Sequence, residues 1–242
     1  MHNCKAAIGY APTGVNYLQT LGNIHGTYSE ALKEVVDNAA SAQAKYVKVE
    51  VRPSTIDGAG DGLFATVPLE TQAVVVSEPL IVAPEHIALG GRVWGDVSQA
   101  WGLVATLCNA RDDGATPEWI SELAKNKDLT KHMLDPAENP NDHALANALS
   151  RRFKGKPILP LFSACVTNFS CFTIEGTTYT ALGRLYSKMN HSDSPNVITA
   201  LVGTDLSNMM QVVIASRPIA AGEELFIDYG EAYKPWLSSN TQ

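Results

Sequence analysis

Positive charge is scarce in this chain: 18 Lys and Arg stand against 25 Asp and Glu, a formal net charge of -7. A protein that grips nucleic acid neutralises phosphates with clustered Lys and Arg, so that class is excluded as an expectation. An acidic surface steers a basic partner weakly, which suits a lysine-rich peptide. Cysteine is scarce too. Cys4, Cys108, Cys165 and Cys171 show no C-x-x-C spacing and no adjoining His cluster, so no structural zinc is expected. No signal peptide is visible, and reduced thiols in an intracellular protein, nuclear or cytoplasmic, are the plain reading. Asn168-Phe-Ser and Asn190-His-Ser match the glycosylation sequon, but only as chance matches on that reading. No apolar run is long enough to span a membrane, and no repeat or low-complexity stretch occurs.

What is present supports a sizeable core. Hydrophobic residues make up 45% of the 242 residues, which suits one large domain or a domain with an extra lobe. Residues 1–45 read as a leader followed by a helix from Tyr28, with Tyr28, Ala31, Leu32, Val35, Val36 and Ala39 on one face. Ser29 or Thr27 can cap its start. Tyr46 to Val51 alternates like a strand, and Leu63-Phe64-Ala65, Ala73 to Ser77 and Pro79 to Ala83 read as further short strands. The character changes over about 94–153. Trp94, Trp101, Leu103, Val104 and Leu107 are spaced like a helix, and further helices are expected at Glu118 to Lys125 and Asp142 to Phe153. Strand composition returns at Phe169 to Ile174, Val197 to Val202, Met210 to Ile214 and Glu224 to Asp228. Strands, a helical insertion and strands again make an α+β chain.

Three segments carry the chemistry. Asp57-Gly-Ala-Gly-Asp-Gly-Leu-Phe-Ala65 has glycine spacing that could cradle a pyrophosphate, but it runs into a strand rather than opening a helix. Glycines between two strands allow positive φ and close approach to a ligand, although alone they describe a plain hairpin. Asn190-His-Ser-Asp-Ser-Pro-Asn196 reads as a tight hydrogen-bonded turn, which needs no ligand to exist. Ala215-Ser-Arg-Pro-Ile-Ala-Ala-Gly-Glu-Glu-Leu-Phe-Ile-Asp-Tyr-Gly230 reads as strand, turn and strand, with a tyrosine at the end. An isolated tyrosine there is more often a core residue than a catalytic group.

In this order the three segments resemble the SET domain. That family runs through G-x-G-x-G-[LIV]-[FY]-A, N-H-S-x-x-P-N and A-x-R-x-I-x-x-G-E-E-L-x-x-D-Y-G. The chain has GAGDGLFA, NHSDSPN and ASRPIAAGEELFIDYG in the matching places. The resemblance covers roughly Tyr46 to Tyr233 and implies a SET domain over 46–233 with a short tail, 234–242. Asn168-Phe-Ser-Cys-Phe-Thr-Ile174, the run from Gly183 to Met189 and Ser77-Glu-Pro-Leu80 are similar to the SET-and-MYND branch, without its MYND zinc finger.

The resemblance implies a fold of several small β-sheets, a knot-like C-terminal crossing and a helical insertion that shapes substrate choice. It implies an S-adenosylmethionine-dependent methyltransferase acting on a lysine side chain of a protein. The backbone at Ala59, Gly60 and Asp61 would line the methionine end of the cofactor. Asn190 and His191, helped by Ser187, would hold it, and Tyr229 would be the catalytic tyrosine. Phe172 and an aromatic such as Tyr233 or Trp236 would wall the acceptor channel. Asp193 stands where members with a cysteine-rich tail carry a zinc-ligating Cys, so no metal is inferred. A small-molecule acceptor and a non-catalytic binding module stay open beside the lysine reading. Retention of Asn190, His191 and Tyr229 weighs against the module.

Overall fold

The computed structural model describes residues 9–10, 49–84, 87–89, 91–94, 96–109, 117–174, 176–203 and 206–230. The helix expected from Tyr28, the start of the strand expected at Tyr46, and the aromatics Tyr233 and Trp236 lie outside those residues. The chain divides into two compact units. One holds Ile81–Cys171 and Thr177–Ser187; the other holds the described parts of His2–Leu80, Phe172–Gly176 and Lys188–Gln242.

The second unit is built of short paired strands. β1 (Gly9–Tyr10) lies parallel to β8 (Ser170–Ile174) through Thr173 and Ile174. β2 (Val49–Pro53) and β3 (Asp61–Ala65) form an antiparallel pair in which Pro53 faces Asp61. β4 (Val74–Pro79), β12 (Met210–Ala215) and β11 (Val197–Val202) make an antiparallel sheet with β12 in the centre. The central strand reads Met-Gln-Val-Val-Ile-Ala and is buried on both faces, with even Gln211 only 3% exposed. Its amide nitrogen donates to Ala200 O at 3.3 Å, so that polar group is not stranded. β10 (Asn190–His191) and β13 (Phe226–Ile227) pair in parallel, Asn190 with Phe226 and His191 with Ile227.

The first unit carries the helices α1 (Ala100–Asn109), α2 (Lys127–Met133), α3 (Pro140–Arg152) and α4 (Ile158–Asn168). β5 (Ile81–Pro84) pairs antiparallel with β9 (Thr177–Leu182), and β6 (Ile87–Leu89) with β7 (Arg92–Trp94). Trp101 of α1 stacks on Phe162 of α4, centroids 3.9 Å apart and planes 17° apart. Leu103, Val104, Leu107, Leu145, Leu149 and Leu161 complete this core. Asp142 is buried within it and accepts from Trp101 Nε1 at 2.7 Å and Ser98 N at 2.8 Å. None of the described helices is long and apolar enough to cross a membrane.

The helical expectations need three corrections. Trp94 is not on the first helix: it ends β7, because Gly91 at φ +77° turns the chain into a hairpin before the helix starts at Ala100. Glu118 to Lys125 gives only a 3-10 turn, Glu118–Ile120. The next helix starts at Lys127, where the Asn126 side chain caps it by accepting from Leu129 N at 2.8 Å. α4 carries no apolar stripe to read, since Ile-Leu-Pro-Leu-Phe-Ser-Ala-Cys-Val is buried on most sides. Pro160 reads as a breaker yet sits in the first turn, where its missing N–H costs nothing. The strands at Val197–Val202 and Met210–Ala215 lie where alternation and β-branching put them.

Candidate functional site

Each of the three motif segments contributes to one cluster in the second unit. The chain leaves β2 at Pro53 and re-enters as β3 at Asp61. Ser54 N donates to Gly60 O at 2.8 Å and closes that loop. Gly58 and Gly60 sit at φ +75° and +79°, where a side chain is strained. Gly62 has a different reason to be glycine. A Cβ there would land on the Glu224 carboxylate, 2.8 Å from its Cδ.

Glu224 reaches that place through the third segment. The antiparallel bridge between Phe64 and Glu224, with Leu225 N donating to Leu63 O at 2.7 Å, lays residues 222–225 against β3. The side chain is 2% exposed, and each carboxylate oxygen accepts two hydrogen bonds. Oε1 takes Ser54 Oγ at 2.8 Å and the Asn190 amide at 3.0 Å; Oε2 takes Thr55 N at 2.7 Å and Thr55 Oγ1 at 2.5 Å. Burial alone would push this carboxyl up. The bonds from Thr55, Asn190 and Ser54 outweigh it and hold the group below the usual carboxylate range.

The second segment is stitched to the third at both ends. Asn190 turns its amide nitrogen toward Ser54 Oγ (3.1 Å), Asp61 O (3.0 Å) and Glu224 Oε1 (3.0 Å). Three acceptors around one atom identify it as the NH2. The amide oxygen, Oδ1, makes no hydrogen bond among the described residues. Asn196, 1% exposed, donates to Glu224 O at 2.7 Å and accepts from Phe226 N at 2.8 Å.

Tyr229 lies just beyond this parallel crossing. Its hydroxyl donates to the carbonyl oxygen of Met189, the residue before Asn190, at 2.7 Å. Its backbone N–H donates to His191 Nδ1 at 3.1 Å. That bond places the ring proton on Nε2, which lies 3.5 Å from Asp193 Oδ1. The imidazole therefore seats the Tyr229 backbone, with the two rings 5.4 Å apart.

Ala59, Gly60 and Asp61 form the tip of the loop and the start of β3, and Asn190, His191 and Tyr229 gather beside them. Ser187 lies in the first unit, where its hydroxyl donates to Gly183 O at 2.5 Å and Asn168 O at 3.3 Å. Phe172 is buried in β8. Sequence reasoning passed over Glu224, Ser54, Thr55, Asn196 and Lys188, whose Nζ contacts Asp61 Oδ2 at 2.9 Å. For Asn196 a signal existed, since it closes the quoted turn motif. Ser54 and Thr55 sit outside every motif.

A solved SET domain of LSMT, bound to lysine and AdoHcy, is 16% identical, with coverage of 85% of this chain and 55% of its own and a TM-score of 0.49. The Chaetomium thermophilum polycomb repressive complex 2 gives 17% identity, 87% and 19% coverage, and a TM-score of 0.42. The chain thus spans about half of the first and about a fifth of the second. Likenesses this distant bear on neither activity nor substrate. No curated protein sequence is a significant match. The SET domain family profile matches residues 60–230, which takes in the glycine loop, the Asn190 turn and Tyr229. With well over half of its length inside that profile, the chain belongs to the SET domain family.

Proposed function

We propose that this chain is an S-adenosylmethionine-dependent methyltransferase acting on a lysine side chain of a protein. The observation that carries the reading is the setting of Asn190. Its amide nitrogen is pinned by Glu224, Ser54 and the Asp61 carbonyl, which leaves Oδ1 as an acceptor beside a glycine-lined loop. An α-ammonium group is the natural donor to such an oxygen. The donor set therefore fits the amino-acid end of the cofactor, with the backbone at Ala59, Gly60 and Asp61 lining it. Asn190 and His191 hold the ligand.

The bound cofactor supplies an electrophilic methyl group on a sulfonium, and what the protein adds is position. The Tyr229 hydroxyl donates a hydrogen bond to Met189 O, so its oxygen turns lone pairs outward and accepts from the N–H of an incoming amine. The amine lone pair is then aimed while Tyr229 stays protonated. A free lysine has a pKa of about 10.4 and must lose a proton before it attacks. A narrow acceptor channel with Phe172 in its wall would disfavour the charged form by desolvation.

The Asn168 to Ile174 and Gly183 to Met189 runs support the SET-and-MYND branch, without its zinc finger. The domain would span 46–233, with the helical segment at about 94–153 as the part that selects the acceptor. A net charge of -7 favours a lysine-rich protein over nucleic acid as partner.

Calorimetric titration of the full chain with S-adenosylmethionine and S-adenosylhomocysteine tests the reading, with Asn190→Ala as control. Saturable binding that the variant loses is expected. A folded wild-type chain that binds neither compound overturns it.

A further inference from the structure

The described arginines fall into two groups. Arg52, Arg184 and Arg217 each meet a carboxylate, of Glu50, Glu122 and Glu223 respectively. Arg92, Arg151 and Arg152 form no ion pair among the described residues, and all three belong to one corner of the first unit. A cavity of about 390 Å³ lies there, lined by Leu89, Trp94, Ala148, Arg151 and Arg152. Arg92 lies over the ring of Trp94, its guanidinium carbon 4.1 Å from the centroid.

Two walls of different origin make this cavity. Arg92 and Trp94 are two residues apart on β7 and share one face, and Leu89 of β6 stands opposite Arg92. Ala148, Arg151 and Arg152 come from the end of α3, where i to i+3 and i to i+4 spacing brings them together. Leu89, Trp94 and Ala148 also pack on the core of the unit, so the floor is apolar and the rim cationic. Trp94 keeps a buried indole N–H without a hydrogen-bond partner among the described residues, although buried donors are nearly always paired. The dipole of α3 accounts for an arginine in its last turn. It accounts neither for Arg92 on β7 nor for a lining without a carboxylate on a chain of net charge -7.

We propose that this cavity docks an acidic segment of a partner protein, with one apolar side chain of that segment on Leu89, Trp94 and Ala148 and flanking carboxylates on Arg92, Arg151 and Arg152. Planar guanidinium groups take carboxylates through two parallel N–H bonds, so three of them without a carboxylate partner favour this chemistry. A nucleic-acid backbone would use the charges but not the apolar floor, whereas an acidic peptide uses both. The volume is at the small end of ligand cavities, about 300–1,000 Å³, and suits one side chain. None of these residues belongs to the cluster around Asn190 and Tyr229, so the assignment does not depend on the cofactor reading.

The test is fluorescence anisotropy of the full chain with three labelled probes. They are a nine-residue peptide of glutamates around a central leucine, the same peptide with a central serine, and an oligothymidylate of equal length. The wild type is expected to bind the leucine peptide at least about fivefold more tightly than the other two, as burial of one apolar side chain allows. The double variant Arg151→Gln, Arg152→Gln should weaken that peptide at least about tenfold, in keeping with the loss of two charge-assisted contacts. Lys131→Glu, which changes the net charge by the same amount on α2, should leave it within about twofold, as expected of a screened charge away from the contact. Ala148→Gln fills the floor and should bind the two peptides alike. Thermal melting of each variant confirms that it is folded. A folded wild type that does not bind the leucine peptide overturns the proposal, as does equal weakening by Lys131→Glu. Tighter binding of the oligonucleotide, lost in the double variant, assigns the cavity to nucleic acid instead. Self-association in light scattering that the double variant abolishes assigns it to a second copy of the chain; either result overturns the proposal.

Discussion

Asn196 holds Phe226 by its backbone: the Asn196 Oδ1 accepts from Phe226 N at 2.8 Å, while its Nδ2 donates to Glu224 O at 2.7 Å. The last residue of the turn motif thereby replaces a strand partner for the segment that leads to Tyr229. Asn190, at the other end of the turn, bonds to side chains and a loop carbonyl and keeps Oδ1 unused. On the proposed function the two asparagines divide structure from ligand binding. Asn196→Ala leaves a buried N–H and C=O unpaired and should cost about 2–6 kcal/mol in urea unfolding, at about 1–3 kcal/mol for each stranded group. Asn190→Ala should cost less stability and mainly weaken S-adenosylmethionine. Equal stability losses in the two variants would contradict this division.

The glycines of the first motif should respond unequally to alanine. At Gly58 the added Cβ meets open space, and only its φ of +75° is unfavourable. Gly58→Ala should then cost about 1–2 kcal/mol, the left-handed penalty. At Gly62 the Cβ drives into Glu224, which is already held by four hydrogen bonds. Gly62→Ala must displace that carboxylate and with it Asn190. It should lose cofactor affinity in calorimetry, whereas Gly58→Ala should keep it.

Tyr229→Phe removes the bond to Met189 and, in the proposed mechanism, the oxygen that meets the amine. Turnover should fall at least about a hundredfold, in keeping with the loss of a positioned catalytic hydroxyl, while S-adenosylmethionine binding persists. A steady-state methylation assay on a lysine peptide, paired with calorimetry, checks both halves. Near-full activity in the variant would remove Tyr229 from the chemistry.

Glu224 makes stability depend on acid. Its folded carboxyl lies below the ordinary range because its hydrogen bonds outweigh the burial that would raise it. The unfolded chain, with a carboxyl near about 4.3, therefore takes up its proton first as pH falls. The stabilisation is complete above that value and is lost as pH drops through the folded one. Glu223 adds in the same direction: burial raises it, but bonds from Arg217, Ala220 and Asn196 hold it low. Asp142 opposes them, because burial raises its carboxyl against the bonds from Ser98 and Trp101. Urea unfolding at a series of acidic pH values should show a shallower rise with pH in Glu224→Gln than in the wild type. Parallel curves would mean that the Glu224 charge adds nothing to the fold.

Much of the site could be read along the chain because its parts are local. Each motif is a continuous run, and the order of the three pointed to one family, which residues 60–230 match. Strand positions such as Val197–Val202 followed from β-branched alternation. The pair Glu223-Glu224 was opaque for the opposite reason. Two adjacent carboxylates carry no mark of which one is buried, and Glu223 is part-exposed and pairs with Arg217 at 2.7 Å. Its neighbour points to the other face of the extended chain and is buried under Gly62. Ser54 and Thr55, far away in sequence, have no local feature that marks them as its partners.

The sequence by itself determined which short segments turn, which extend and in what order they come, since glycine, proline, asparagine and β-branched residues act on their own backbone. Only the tertiary structure decided what those segments do to each other. The Asn190 amide is aimed by Glu224, the Tyr229 hydroxyl is taken by Met189 O, and Lys188 is set on Asp61. Hydrogen bonds and ion pairs act over about 3 Å whatever the separation along the chain, so their partners are set by the crossing of strands and not by spacing in the sequence.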